Sequence, residues 1–261
     1  MKKFLIVSAA VCASGAFAGV HIENTTRDIK TKTPQGHVQT ILVQDSKLHS
    51  STGSGAFILK GDSIVIVDDK RQEYREMTKE DMKKMAEQAG AAMKRMQDQM
   101  KNMKPEQRAM MEKMLGNKIP GGMGGSDKPD VWEAKNLNKT GNVEGRTCQV
   151  WTMSRNGALF EELCVVPYGS LPGKENLDKV FKDMAAAFGD LAKANPSADQ
   201  TAKAFAAING YPVRTRFYEG DGKFRPTETV LTKWVEESIP ASTFEVPAGY
   251  KKMAMPTMAP H

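Results

Sequence analysis

The chain is 261 residues long and 40% hydrophobic, with 37 Lys and Arg against 31 Asp and Glu for a net charge of +6 at pH 7. That length supports one large domain or two small ones with a proper core. Both charge signs are interspersed and no aromatic-basic interleaving occurs, which argues against a nucleic-acid interface, and no stretch approaches the roughly 20 apolar residues that a membrane-spanning helix requires.

Residues 1–18 read as a separate object. Lys2 and Lys3 form a basic start, residues 4–13 an apolar core, and Ala16-Phe17-Ala18 a small-x-small cleavage site, so export with cleavage after Ala18 is expected. Cys12 follows the branched Val11, where a lipoprotein signal wants a small residue, so it reads as an ordinary signal-core residue. Only Cys148 and Cys164 remain after processing. An even count in an exported chain favours a disulfide and an oxidising compartment, a bacterial periplasm.

From Val20 the chain is rich in Thr, Ile and Val with polar alternation, and Pro34-Gln35-Gly36 divides the first strand from residues 37–44. Short strands over 47–51, 56–59, 63–67 and 72–77 follow, separated by Gly-Ser, Gly61-Asp62 and Asp68-Asp69-Lys70 turns, the pattern of an antiparallel meander. Residues 78–115 then switch period. Ten of the 17 methionines lie between Met77 and Met114, and Met82, Met85, Ala86, Ala89, Met93, Met96, Met100 and Met103 fall on one helical arc of about 100°, the width of a core-facing stripe. Thr78 stands at the N-cap with Asp81 three residues on, and Pro105 with Gly116 brackets a second, shorter helix. Residues 116–130, with Gly121-Gly122-Met123-Gly124-Gly125 at their middle, read as a linker back to the sheet.

Strands resume over 131–139, 143–153 and 159–166, with Asn156-Gly157 as a hairpin turn. Antiparallel partners have constant index sums, so a bond between Cys148 and Cys164 sets opposite pairs Gln149 with Leu163 and Trp151 with Glu161, centred on Asn156. Residues 175–194 form an amphipathic helix carrying Leu177, Val180, Phe181, Met184, Phe188 and Leu191. Ser197 with Gln200 caps a short helix that Asn209-Gly210 stops. A final hairpin spans 211–219 and 223–235, and residues 251–261 read as a frayed tail.

No H-E-x-x-H, G-x-S-x-G, Walker or EF-hand spacing occurs, the Gly-rich loop at Gly121 does not open a helix after a strand, and His21, His37, His49 and His261 are scattered. The chain therefore reads as a binding protein without cofactor, not an enzyme. The methionine stripe admits three readings. It packs as core, it forms an adaptable apolar lid, or its M-x-x-M pairs (Met82 and Met85, Met93 and Met96, Met100 and Met103, Met111 and Met114) present sulfurs one helical turn apart to Cu(I).

The run of motifs Gly145-Arg-Thr-Cys148, Asn156-Gly157, Glu162-Leu-Cys164, Leu171-Pro172, Pro212-Val-Arg-Thr215 and Phe244-Glu-Val-Pro-Ala-Gly-Tyr250 resembles a bacterial family of exported proteins of unknown function related to the periplasmic lipoprotein carriers of LolA/LolB type. The resemblance is clearest over 143–250 and extends through 62–82. It implies an α+β fold in which helices cover the concave face of a curved antiparallel sheet, a half-barrel, with an apolar cavity between. The resulting expectation is one such domain over 19–250 with a Met-rich insertion at 78–115. A lipid, acyl chain or other apolar molecule would be held by Met82, Met85, Met93, Met96, Met100, Met103, Phe181, Met184 and Phe188. Cu(I) on the M-x-x-M methionines, or a filled structural core with no ligand, are the alternatives.

Overall fold

The computed structural model describes residues 19–101, 130–193, 196–220 and 222–254. The expected signal peptide, the second half of the helical hairpin, the Gly-rich linker and residues 255–261 lie outside them. Twelve strands form one sheet: β1 (Gly19–Asp28), β2 (Gln39–Gln44), β3 (Lys47–Ser51), β4 (Gly55–Lys60), β5 (Ser63–Asp68), β6 (Glu73–Thr78), β7 (Trp132–Val143), β8 (Arg146–Arg155), β9 (Ala158–Pro167), β10 (Gly210–Tyr218), β11 (Phe224–Glu237) and β12 (Lys251–Lys252). The described helices are α1 (Lys79–Lys101), α2 (Lys174–Lys193) and α3 (Pro196–Ile208).

The strand order is β12-β6-β5-β4-β3-β2-β1-β11-β10-β9-β8-β7, so two antiparallel meanders, β1 to β6 and β7 to β11, are joined where β1 pairs with β11. The architecture is the expected α+β class. The sheet runs past residue 250, because Lys251 and Lys252 pair in parallel with Glu73 and Tyr74 of β6. A run as short and charged as Lys251-Lys252 carries no strand signature of its own, and the neighbouring edge of β6 supplies it.

The sheet curls. Arg27 Nη1 lies 2.6 Å from Oε1 of Glu144, in the turn between β7 and β8, although three strands separate β1 from β8. In a flat sheet the two backbones would stand about 19 Å apart at 4.8 Å per strand, beyond the combined reach of the two side chains. The hairpin tip therefore folds across the concave face.

Side-chain alternation sorts the core onto both faces. On β9, Cys164 and Val166 join the large concave cluster with Val20, Ile22, Val43, Leu59, Ile64 and Trp234, while Leu163 and Val165 turn the other way onto Ala204 and Ile208 of α3. On β4 and β5, Leu59 and Ile64 face inward and Ile58, Val65 and Val67 pack outward on Ile239 and Phe244. Helices α1 and α2 cover the concave face through Met82, Leu177 and Val180. The third helix covers the opposite face, and it begins at Pro196, one residue before the expected Ser197 cap. Proline at the first helical position has no N–H to orphan and a preset φ.

The cap at Thr78 forms as expected. Asp81 N–H donates to Thr78 Oγ1 at 3.2 Å, and the Asp81 carboxylate accepts from the Thr78 N–H at 3.0 Å and its hydroxyl at 2.6 Å. This reciprocal box satisfies backbone donors that the helix start leaves without partners.

The β8–β9 hairpin departs from the expected register. Asn156 and Gly157 both have positive φ, 53° and 80°, and form a two-residue turn that sets Arg155 opposite Ala158. A bulge after Ser154–Leu159 leaves Phe160 unpaired, so the observed pairs are Trp151 with Leu163 and Gln149 with Val165. The disulfide between Cys148 and Cys164 is present, with Cα atoms 5.4 Å apart, but it runs diagonally, since Val150 is the residue opposite Cys164. Bulge residues raise the local twist. Gly141 on β7 faces this bridge: a Cβ there would lie 2.7 Å from Cys164 Sγ, so only glycine fits.

Candidate functional site

The concave face is apolar at its centre. Val20, Ile22, Val43, Leu59, Ile64, Val213 and Leu231 form its floor, and α2 closes over it with Leu177 and Val180. α1 leaves the end of β6 and packs beside α2, which brings Met82 to 2% exposure in the same cluster. Met184 packs against the cluster from α2, and Met85 is half-buried. Phe181 is 46% exposed, on the solvent side of α2. The side chains of Met93, Met96, Met100 and Phe188, and residues Met103, Met111 and Met114, fall outside the described set. Of the M-x-x-M pairs, the one described, Met82 with Met85, has one thioether inside the apolar core. No group of three or more His, Cys, Asp or Glu placed to hold a metal occurs among the described residues.

The ionic end of this face has no signature in the sequence. One step along the strands from Cys164, Arg214 and Val230 comes a row built by register: Glu162 on β9, Arg216 on β10, Glu228 on β11 and Arg27 on β1. The Glu228 carboxylate is fully buried and receives Arg216 Nη2 at 2.8 Å, Arg27 Nε at 2.9 Å and Lys32 Nζ at 2.9 Å. Glu162 accepts from Arg214 Nη2 at 3.0 Å. Burial by itself raises the Glu228 pKa, yet hydrogen bonds from Lys32, Arg216 and Arg27 hold it down at about 2. Each cation of the group meets a carboxylate, four cations sharing Glu144, Glu162 and Glu228, while Arg214 Nε is buried without a hydrogen-bond partner among the described residues.

At the other end of β11 a cavity of about 280 Å³ opens. Trp234, Val166, Leu171 and Pro172 form its apolar wall, and Arg146, at the start of β8, stands at its edge. Trp234 is fixed on both sides. Its indole N–H donates to Pro172 O at 2.9 Å, and its ring meets Tyr211 edge to face with centroids 4.8 Å apart. Tyr168, in the short turn that also carries Ser170, has a buried hydroxyl with no hydrogen-bond partner among the described residues; burial, then Asp178 and Tyr211, push its pKa up. On the outer face Glu161 is 5% exposed, opposite Met153 and Phe217, and burial alone raises its carboxyl to about 7. No single-residue sequence signal distinguishes Glu161 from its solvated neighbours, because strand register decides its surroundings.

No helix among the described residues is long and apolar enough to cross a membrane. No curated protein matches the chain. Solved structures similar to it include an uncharacterised conserved protein from Thermus thermophilus, at 7% identity and a TM-score of 0.41 over 91% of this chain and 90% of that one. A LolA superfamily protein from Nitrosomonas europaea is similar at 8% identity and a TM-score of 0.25, over 87% of this chain and 89% of that one. The family model for a domain of unknown function, DUF4412, matches residues 64–250, and the chain belongs to that family.

Proposed function

We propose that this chain is an exported, non-catalytic binding protein of the periplasm that holds an apolar ligand, a lipid or acyl chain, between the concave face of the sheet and helices α1 and α2. The observation that carries the reading is a concave face whose apolar floor runs without interruption from β5 to β9, with Met82 of α1 and Met184 of α2 packed over it. Thioether side chains re-pack around ligands of variable shape, which suits a cover that must admit and release a flexible chain. The disulfide supports an oxidising compartment, and the leader-like first 18 residues supply the route to it.

Native mass spectrometry of the protein purified from its own periplasm, combined with titration by the neutral dye N-phenylnaphthylamine, tests this. An added lipid mass and saturable dye binding are expected. Replacing Met93, Met96 and Met100 together with Leu conserves apolar volume, so dye affinity should change little. An added copper mass that disappears in the same Leu variant would instead establish the M-x-x-M methionines as a Cu(I) site, since leucine offers no sulfur lone pair. A protein that carries no added mass and binds no dye has a filled core, and the ligand reading is then wrong.

A further inference from the structure

The cavity beside Trp234 has an uneven distribution of committed and uncommitted polar groups. The Trp234 N–H is already donated to Pro172 O, and the Ser170 hydroxyl to Pro167 O at 2.7 Å. Arg146 and Thr147 complete the lining, and neither side chain has an ion pair or hydrogen bond among the described residues. Arg146 differs in this from Arg27, Arg214 and Arg216, each of which is matched by a carboxylate. The result is a half-buried arginine lining a pocket with an apolar wall, on the same strand face as buried Cys148 and Val150, with no carboxylate paired to it among the described residues.

The cavity is also too small for a whole lipid. At about 280 Å³ it lies at the lower edge of the 300–1,000 Å³ typical of sites that enclose a drug-sized ligand. It suits one head group and the first carbons of a chain. Val166, Leu171 and Trp234 belong both to the cavity wall and to the concave core cluster, so the pocket adjoins the apolar face under α2.

We propose that this cavity is the head-group site for an anionic amphiphile of the fatty-carboxylate class, with the carboxylate on the Arg146 guanidinium and the alkyl chain running over Trp234, Leu171 and Val166 toward the concave face. A guanidinium presents paired donors in a planar fork that matches a carboxylate, and the pair is strengthened by the apolar wall behind it. The inference rests on the apolar-ligand reading and adds the charge of the ligand and the point where that charge is held.

Decanoate, 1-decanol, inorganic phosphate and N-phenylnaphthylamine are titrated against the full-length mature protein and against Arg146→Gln and Arg146→Lys. The expected result is decanoate binding that weakens at least tenfold in Arg146→Gln, is largely kept in Arg146→Lys, and is tighter than that of decanol in the wild type and Arg146→Lys but not in Arg146→Gln, while dye affinity is the same in all three proteins. Unchanged dye binding also shows that the variants are folded. Equal decanoate affinity in wild type and Arg146→Gln overturns the head-group assignment and leaves the apolar-ligand reading standing. Binding of neither decanoate nor dye by the wild type overturns both. Phosphate that competes at the same concentration as decanoate overturns the amphiphile class and makes the site one for a free anion.

Discussion

Two buried carboxyls on opposite faces of the sheet give folding stability an unusual dependence on pH. Glu161 titrates near 7 in the folded protein against 4.5 as its ordinary value, because burial disfavours its charged form and nothing offsets that. A raised carboxyl contributes stability that is fully present below 4.5 and is lost as pH rises through about 7, a difference of about 3 kcal/mol at 1.36 kcal/mol per pH unit. Glu228 has the opposite sign: held at about 2, against its burial, by Lys32, Arg216 and Arg27, it contributes a similar amount above 4.5 that is lost as pH falls toward 2. Stability attributable to these two groups therefore peaks near pH 4.5 to 5. Half-buried His49, whose pKa is lowered mainly by burial, acts against Glu161 below its ordinary 6.5, so the comparison with a Glu161→Gln variant isolates the carboxyl. The assay is urea unfolding followed by tryptophan fluorescence from pH 3 to 8. Glu161→Gln should be more stable than wild type at pH 8, by up to about 3 kcal/mol, with the gap closing as pH falls to 5. Glu228→Gln should lose about 3–5 kcal/mol at pH 7, because three cations lose their shared carboxylate, and its acid limb should flatten. A gap between wild type and Glu161→Gln that stays constant from pH 8 to 5 would refute the burial argument for Glu161.

The diagonal disulfide closes a sequence separation of 16 and should stabilise by about 3 kcal/mol, which for a domain of this size lowers Tm by about 6–12 °C when Cys148 and Cys164 are both changed to Ala; a wild-type melting curve that reductant does not move would refute this. Gly141→Ala should destabilise the oxidised protein by about 1–3 kcal/mol through contact with Cys164 Sγ, and most of that loss should vanish in the double Ala background, as a thermodynamic cycle over the three positions measures. Additive effects in that cycle would show that the sulfur is not what excludes a side chain at Gly141.

The parts of the fold that were legible in the sequence are those decided within a few residues. The Asn156-Gly157 turn, the Thr78 and Asp81 box and the period change at residue 78 each depend on neighbours in the chain, and each appears where the residues placed it. The pairing of Cys148 with Cys164 was legible from their count, but the register was not. It was displaced by the bulge at Phe160, whose ring lies between those of Trp132 and Phe217 with centroids 5.1 and 5.7 Å away, contacts that only the assembled sheet supplies. The side of the sheet taken by α3 was hidden for the same reason. Its apolar residues Ala204 and Ile208 fit either face, and the concave one is already filled by α2.

The ionic row was the least legible feature, since its members come from residues 27–32, 162, 214–216 and 228 and meet only after both meanders pair through β1 and β11. It also gives the concave face a direction. Glu228 and Trp234 are six residues apart on β11, about 20 Å along the strand, and between them the face passes from matched buried charge to apolar floor to the Trp234 cavity. An alkyl chain on this floor gains nothing by entering the ionic end, where desolvated cations already have their carboxylates and an added anion would have to displace one. At the cavity end Arg146 has no such partner among the described residues, so on our proposal an anionic amphiphile satisfies head and chain together in one orientation. On that proposal the two ends of the face act on orientation by different means: each cation at the Glu228 end already meets a carboxylate, and Arg146 meets none among the described residues.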